Sequence, residues 1–121
     1  MWAKFIIPGD LPDLNEIIEA AKSHYMVYAA MKKVHTEKVA WVAKSAGRFK
    51  KVDVAIRWVC KDRRKDKDNI IAGTKFILDG LVVAGVLPND GWRHIGNIRH
   101  SFGVDKHDPR VEVIIGSDDN G

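Results

Sequence analysis

Apolar and polar positions follow two different periods along the chain, and the switches between them mark its elements. Ala3 to Pro8 reads as a short first strand, ended by the Pro8-Gly9-Asp10 turn. Asp13 then stands as a helix N-cap, with Glu16 three residues on to complete a capping box. Leu14, Ile17, Ile18, Ala21, Tyr25, Tyr28 and Met31 recur at helical spacing, and Val39, Val42 and Ala46 continue the stripe to a stop at Gly47. An unbroken helix from Leu14 to Ala46 would be about 50 Å long, whereas a domain of this size is about 30 Å across. The expectation is a break near His35-Thr36, or an end that projects and packs on a second subunit.

The next segment alternates with period two. Val52, Val54, Ile56, Trp58 and Cys60 share one face of a strand, and Asp53 and Arg57 lie on the other. A second helix opens at Asn69, carries Ile70, Ile71, Ile77, Leu78, Leu81 and Val82 on its apolar side, and ends at Ala84-Gly85. After the turn residues Leu87 to Gly91, two strands are expected at Ile95–Phe102 and Val111–Ile115, joined around Asp108-Pro109. The order βαβαββ predicts a small α+β domain over residues 1–115, with two main helices on one face of a mixed sheet. Residues 116–121, polar with two glycines, read as a flexible tail.

Composition narrows the class. With 121 residues, 45% hydrophobic and 30% charged, the chain has room for one core and is not of disordered type. Cys60 is the single cysteine, so no internal disulfide can form, and it reads as a small buried hydrophobe. No apolar run approaches the roughly 20 residues of a membrane span, and the apolar stretch at the N-terminus is too short for a signal peptide. The net charge of +4 is mild and by itself allows a nucleic-acid partner without favouring one.

Its distribution is more telling than its sum. Lys61, Arg63, Arg64, Lys65 and Lys67 are packed with Asp62, Asp66 and Asp68 into the link between strand and helix. Asp66 and Asp68, two apart, project from the same side in extended backbone and repel each other unless a cation lies between them. A hard divalent ion such as Mg²⁺ resolves that conflict. Asp90 is the candidate third carboxylate, provided that the chain returns it across the sheet. A D-x-D pair alone more often marks solvated charge, and Asp68 would serve equally as a helix cap. Carboxylates ringed by an excess of cations, however, suit a polyanionic substrate whose phosphate a metal must reach.

These residues also carry a resemblance. The stretch Asp62 to Ile70, with its D-x-D-N core, resembles the RusA family of Holliday-junction resolvases. So do Lys75, Asp79-Gly80-Leu81, Ala84-Gly85-Val86-Leu87, Asn89-Asp90 and the N-terminal Pro12-Asp13-Leu14-Asn15. The resemblance implies a Mg²⁺-dependent (Mn²⁺-tolerant) endodeoxyribonuclease of phage or prophage type, cytoplasmic in its bacterial host. Such an enzyme acts as a homodimer that resolves four-way junctions by paired nicks in DNA recombination and repair. It implies Asp66, Asp68 and Asp90 as metal ligands and Lys75 as the active-site lysine. Lys75 stands seven residues after Asp68, where the best-known form has four, although its spacing to Asp79 is kept. An ordinary Lys75–Asp79 ion pair is the competing expectation. Arg63, Arg64, Lys65 and Lys67 are expected to hold the DNA backbone. The alternative is a nucleic-acid-binding protein of the same fold without nuclease activity.

The remaining residues are expected to be structural. His94, His100 and His107 lack zinc spacing with any cysteine. His24 and His35 are assigned to the polar or dimer-facing side of the long helix, and Trp2, Trp41 and Trp58 to core or interface. For Trp92, core packing is favoured over contact with DNA.

Overall fold

The computed structural model describes residues 1–117. Its elements follow the order β1 (Trp2–Pro8), α1 (Leu14–Ser23), α2 (Tyr25–Ala43), β2 (Val52–Cys60), α3 (Lys67–Ile71), α4 (Thr74–Val83), β3 (Ile95–Val104) and β4 (Arg110–Gly116). This is the expected α+β arrangement, with each helical region divided in two. The four strands form one mixed sheet in the order β1-β4-β2-β3, in which β2 and β3 are parallel and the other pairs antiparallel.

The alternation in β2 sets the layering. Val52, Val54, Ile56 and Trp58 are buried against Val39 and Ala43 of α2 and Phe76, Ile77 and Leu81 of α4. Phe5 and Ile7 of β1, with Val111, Val113 and Ile115 of β4, extend the same apolar face. Among the described residues the other face carries no helix, and Trp2, Ile6 and Ile114 are exposed there. Gly80 lets α2 and α4 approach closely, since a Cβ there would lie 2.5 Å from Val39 Cγ1.

The long helical stripe breaks at Ser23-His24 rather than at His35-Thr36. His24 is extended (φ −167°, ψ 144°) and ends α1, while its Nδ1 accepts from Met26 N at 3.1 Å to start α2. Ser23 Oγ donates to the carbonyl of Ala20 at 2.9 Å, a local bond that competes with continuing the helix. His35 and Thr36 lie inside continuous α2, and the His35 ring rests 5.7 Å from that of Phe76, facing α4 rather than solvent. The second region breaks at Ala72-Gly73, where three-residue hydrogen bonds replace helical ones. Gly73 is buried there, with space for a Cβ only 3.1 Å from Leu11 Cβ and the Trp58 ring.

At the end of the chain, Gly116 belongs to β4 opposite Trp2 rather than to a tail. Met1 and Ser117 exchange backbone hydrogen bonds just beyond it. The rest of the expected tail, 118–121, falls outside the described residues. Among the described residues, no helix is long and apolar enough to cross a membrane.

Candidate nucleic-acid and metal site

The charged run 61–68 leaves the C-terminal end of β2 and crosses to α3, the edge of an open sheet at which ligands usually bind. Lys65 within the run and Asn69 just after it tie this segment to the start of α1. Lys65 Nζ donates to Asp13 Oδ2 at 2.8 Å and to Glu16 Oε1 at 3.4 Å. Asn69 Oδ1 accepts from Asn15 N at 3.1 Å. Asp13 therefore has two tasks. Its Oδ1 accepts from Glu16 N at 2.8 Å, and Glu16 Oε1 accepts from Asp13 N at 3.3 Å, so the expected capping box is formed. Burial pushes the Asp13 carboxyl up, but the Lys65 ammonium and the Glu16 N–H outweigh it and hold it below the usual 3.8. The hydrogen bond to Asp13 raises Lys65 above its ordinary value. Lys65 is thus paired with carboxylates of its own chain while its side chain stays partly exposed and lines the same cleft as Asp66 and Asp68.

The other three expected anchors differ among themselves. Arg64 pairs with Asp62, its N–H donating to Asp62 Oδ1 at 3.0 Å and its Nε lying 3.7 Å from Oδ2. The arginine is 89% exposed, so the pair is weak and the guanidinium can exchange partners. Lys67 lies over the Phe102 ring at 5.3 Å. Arg63 is exposed and has no ion-pair partner among the described residues.

Asp66 and Asp68 line one cleft of about 690 Å³ together with Asp62, Arg63 and Lys67, with Phe102 and Gly103 as its far wall. Their local geometry differs from the extended pair expected. Asp66 is the extended N-cap residue of α3 but makes no side-chain cap, and Asp68 already lies in the first helical turn. Both carboxylates are exposed and, among the described residues, neither has a hydrogen-bond or ion-pair partner. The capping role open to Asp68 is not taken up. Behind the loop, a smaller cavity of about 80 Å³ reaches Leu11, Trp58, Cys60 and Ile70. Cys60 is half-buried there, and burial raises its thiol above the usual 9.0.

The remaining expected ligands are not brought to this cleft. Asp90 sits in the turn before β3, and Val52 N donates to His94 O beside it, at the N-terminal end of β2. The connection through α3 and α4 returns the chain to the start of the parallel neighbour, because that is what a parallel pair requires. The length of β2, about 26 Å of extended chain, lies between the end near Asp90 and the end that leads to Asp66 and Asp68. Among the described residues, no three His, Cys, Asp or Glu side chains gather as a metal-binding group. Lys75 does not line the cleft. Its ammonium lies 3.7 Å from Asp79 Oδ2, which Lys32 also approaches at 3.9 Å.

Asp66 and Asp68 alone still fit Mg²⁺, which is commonly held by one or two carboxylates with water and substrate phosphate completing the shell. No protein-family model matches the chain, and no curated protein matches it.

Proposed function

We propose that the chain is a Mg²⁺-dependent, structure-selective DNA endonuclease of the RusA type. In this reading it resolves four-way junctions as a homodimer during recombination and repair in the cytoplasm of a bacterial host. The observation that carries it is the pair Asp66 and Asp68, exposed and unpartnered in one cleft with the cations Arg63 and Lys67. Carboxylates left unpaired in a cleft also lined by Arg63, Lys65 and Lys67 are a ready site for a divalent ion. The same cations give the cleft an attraction for phosphate. Mg²⁺ held there would polarise the scissile phosphate and lower the pKa of an attacking water.

The chain's own residues do the rest. Asp66 and Asp68 would hold the ion, Arg63 and Lys67 would seat the phosphodiester, and Lys65 keeps the loop in register through Asp13 and Glu16. The homodimer has a geometric reason, since two symmetric nicks in a two-fold junction need two symmetric sites. Leu14, Ile18, Tyr25 and Val27, apolar and exposed on α1 and α2, support a subunit contact.

A labelled four-way junction incubated with and without Mg²⁺ tests the proposal. Paired cleavage should appear only with the ion and vanish in Asp66→Asn and Asp68→Asn, both of which should still bind the junction. Wild-type-like cleavage by either variant would exclude the site. A second reading, a DNA-binding protein of this fold without nuclease activity, is favoured by the distance of Asp90 and by the engagement of Lys75 with Asp79. Junction binding with no cleavage under any divalent ion would establish it.

A further inference from the structure

Trp92 is 97% exposed, although a tryptophan in a small domain usually finds cover. This overturns the expectation of core packing. The residue is not on a loose loop. Asn89 Oδ1 accepts from Asp90 N at 2.6 Å and from Gly91 N at 3.1 Å, and Gly91 O accepts from both His94 N and Ile95 N at 3.0 Å. His94 Nδ1 lies 2.6 Å from Lys50 O, which fixes the corner to the segment entering β2. The backbone is held on both sides of Trp92 while the indole projects outward.

Four cations lie on the segments that form or meet this corner, with Asp90 the carboxylate in the same turn. Arg93 is its neighbour, and Lys50 and Lys51 lie on the strand-entry segment bound to it. Arg48 stands just before Phe49, whose N–H donates to Val86 O at 2.8 Å. All four are exposed, and none has an ion-pair partner among the described residues. Trp41, the other strongly exposed tryptophan, differs in having Lys44 Nζ over its ring at 3.7 Å. The Trp92 ring has no such contact.

The geometry points to Trp92 as a stacking platform for an unpaired base of DNA, with Arg48, Lys50, Lys51 and Arg93 holding the flanking phosphates. A rigid aromatic face among unpaired cations is the combination that binds single-stranded nucleic acid. A protein partner is less well matched, because four like charges would be desolvated at its interface. The platform lies at the opposite end of β2 from the Asp66-Asp68 cleft, with about 26 Å of extended strand between the two ends. It extends the DNA-binding reading of the previous subsection and depends on it for the identity of the partner.

The test compares wild type, Trp92→Phe and Trp92→Ala in EDTA, so that cleavage plays no part. Binding is followed by anisotropy of a labelled oligo-dT and of a labelled four-way junction, and by quenching of tryptophan emission. Trp92→Ala should weaken oligo-dT binding about five- to one-hundred-fold and remove most of the quenching, whereas Trp92→Phe should keep most of the affinity. Because the side chain is exposed, both variants should melt as wild type does. Oligo-dT affinity within twofold of wild type in Trp92→Ala would overturn the platform and leave the nuclease proposal standing. A change in sedimentation with unchanged DNA affinity would overturn it in favour of a protein contact. Loss of binding in Trp92→Ala, in a protein that cuts no junction, would establish the platform and reject the nuclease. A wild type that binds neither DNA would reject both.

Discussion

The indole Nε1 of Trp58 donates to Nδ1 of His100 at 3.0 Å, joining the C-terminal half of β2 to the middle of β3 across 42 residues of sequence. The bond requires His100 to be neutral at Nδ1. Burial lowers His100 below the ordinary 6.5, and His35, whose buried Nδ1 has no hydrogen-bond partner among the described residues, is lowered mainly by burial as well. Both groups take up a proton more readily in the unfolded chain. Their contribution to stability is therefore full above about pH 6.5 and is lost as pH falls through the lowered folded values. Urea melts between pH 8 and pH 5 should show a falling midpoint below pH 6.5. His100→Gln, which can still accept from Trp58 but does not titrate, should flatten part of that slope. An unchanged slope in this variant would show that His100 is not responsible.

Gly80 sits in mid-helix, where alanine is normally preferred by about 1 kcal/mol. Here the preference should reverse. The added Cβ would meet Val39 Cγ1 and Cβ at 2.5 and 2.6 Å and the Ala40 backbone nitrogen at 3.2 Å, so α2 and α4 would have to separate. Gly80→Ala should destabilise the domain by about 1–3 kcal/mol in equilibrium unfolding. A second change, Val39→Ala, should recover part of that loss by making room for the methyl group. Stabilisation by Gly80→Ala alone would mean that the helices are not so closely packed.

The cations of the 61–68 loop should separate by experiment into two kinds. Arg63, Lys65 and Lys67 all line the cleft, but among the described residues only Lys65 has carboxylate partners, Asp13 and Glu16. Replacing Arg63 and Lys67 together by alanine should reduce the slope of log affinity against log salt by about 1.8, at about 0.9 per phosphate contact on duplex DNA. Lys65→Ala should leave that slope unchanged. It should instead speed amide exchange at Asp13–Glu16 and in the loop, because a nearly buried carboxylate loses its partner. A reduced slope for Lys65→Ala would return it to the phosphate-binding set.

The parts of this structure most legible from sequence are those governed by local pattern. Alternation from Val52 to Cys60 places the central strand, and Asp13 with Glu16 fixes the start of α1 through a capping box that needs only four residues. Positive φ at Gly9, Gly47 and Gly85 agrees with the turn and stops expected there. Long-range choices were less visible. The break at His24 depends on a histidine serving as N-cap, a role for which Ser, Thr, Asp and Asn are the usual signals. The kink at Gly73 depends on the proximity of Trp58 and Leu11, which lie far from it in sequence. Lys65 looked like its neighbours because a run of cations gives no hint of which one meets Asp13, 52 residues earlier. Trp92 was misjudged because hydrophobicity says what a side chain prefers, not whether a turn leaves anything to cover it. The separation of Asp90 from Asp68 follows from the condition set on it at the start, since a helix between parallel strands carries the chain from one end of the sheet to the other and the chain does not bring Asp90 back.

That separation yields the sharpest prediction about the metal. Within one chain, a divalent ion at the cleft can draw on Asp66 and Asp68 but not on Asp90, which lies beyond the length of β2. Mn²⁺ binding measured calorimetrically on DNA-free protein should be abolished by Asp66→Asn and by Asp68→Asn. Asp90→Asn should leave it within a factor of two in dilute, monomeric protein. If Asp90→Asn weakens binding only at concentrations where the chain associates, the third carboxylate comes from a second copy. Mixing Asp66→Asn with Asp90→Asn protomers should then restore one working site per mixed dimer. If Asp90→Asn abolishes binding in the monomer itself, the turn before β3 must move to the opposite end of the sheet, and the placement of Asp90 described above is wrong.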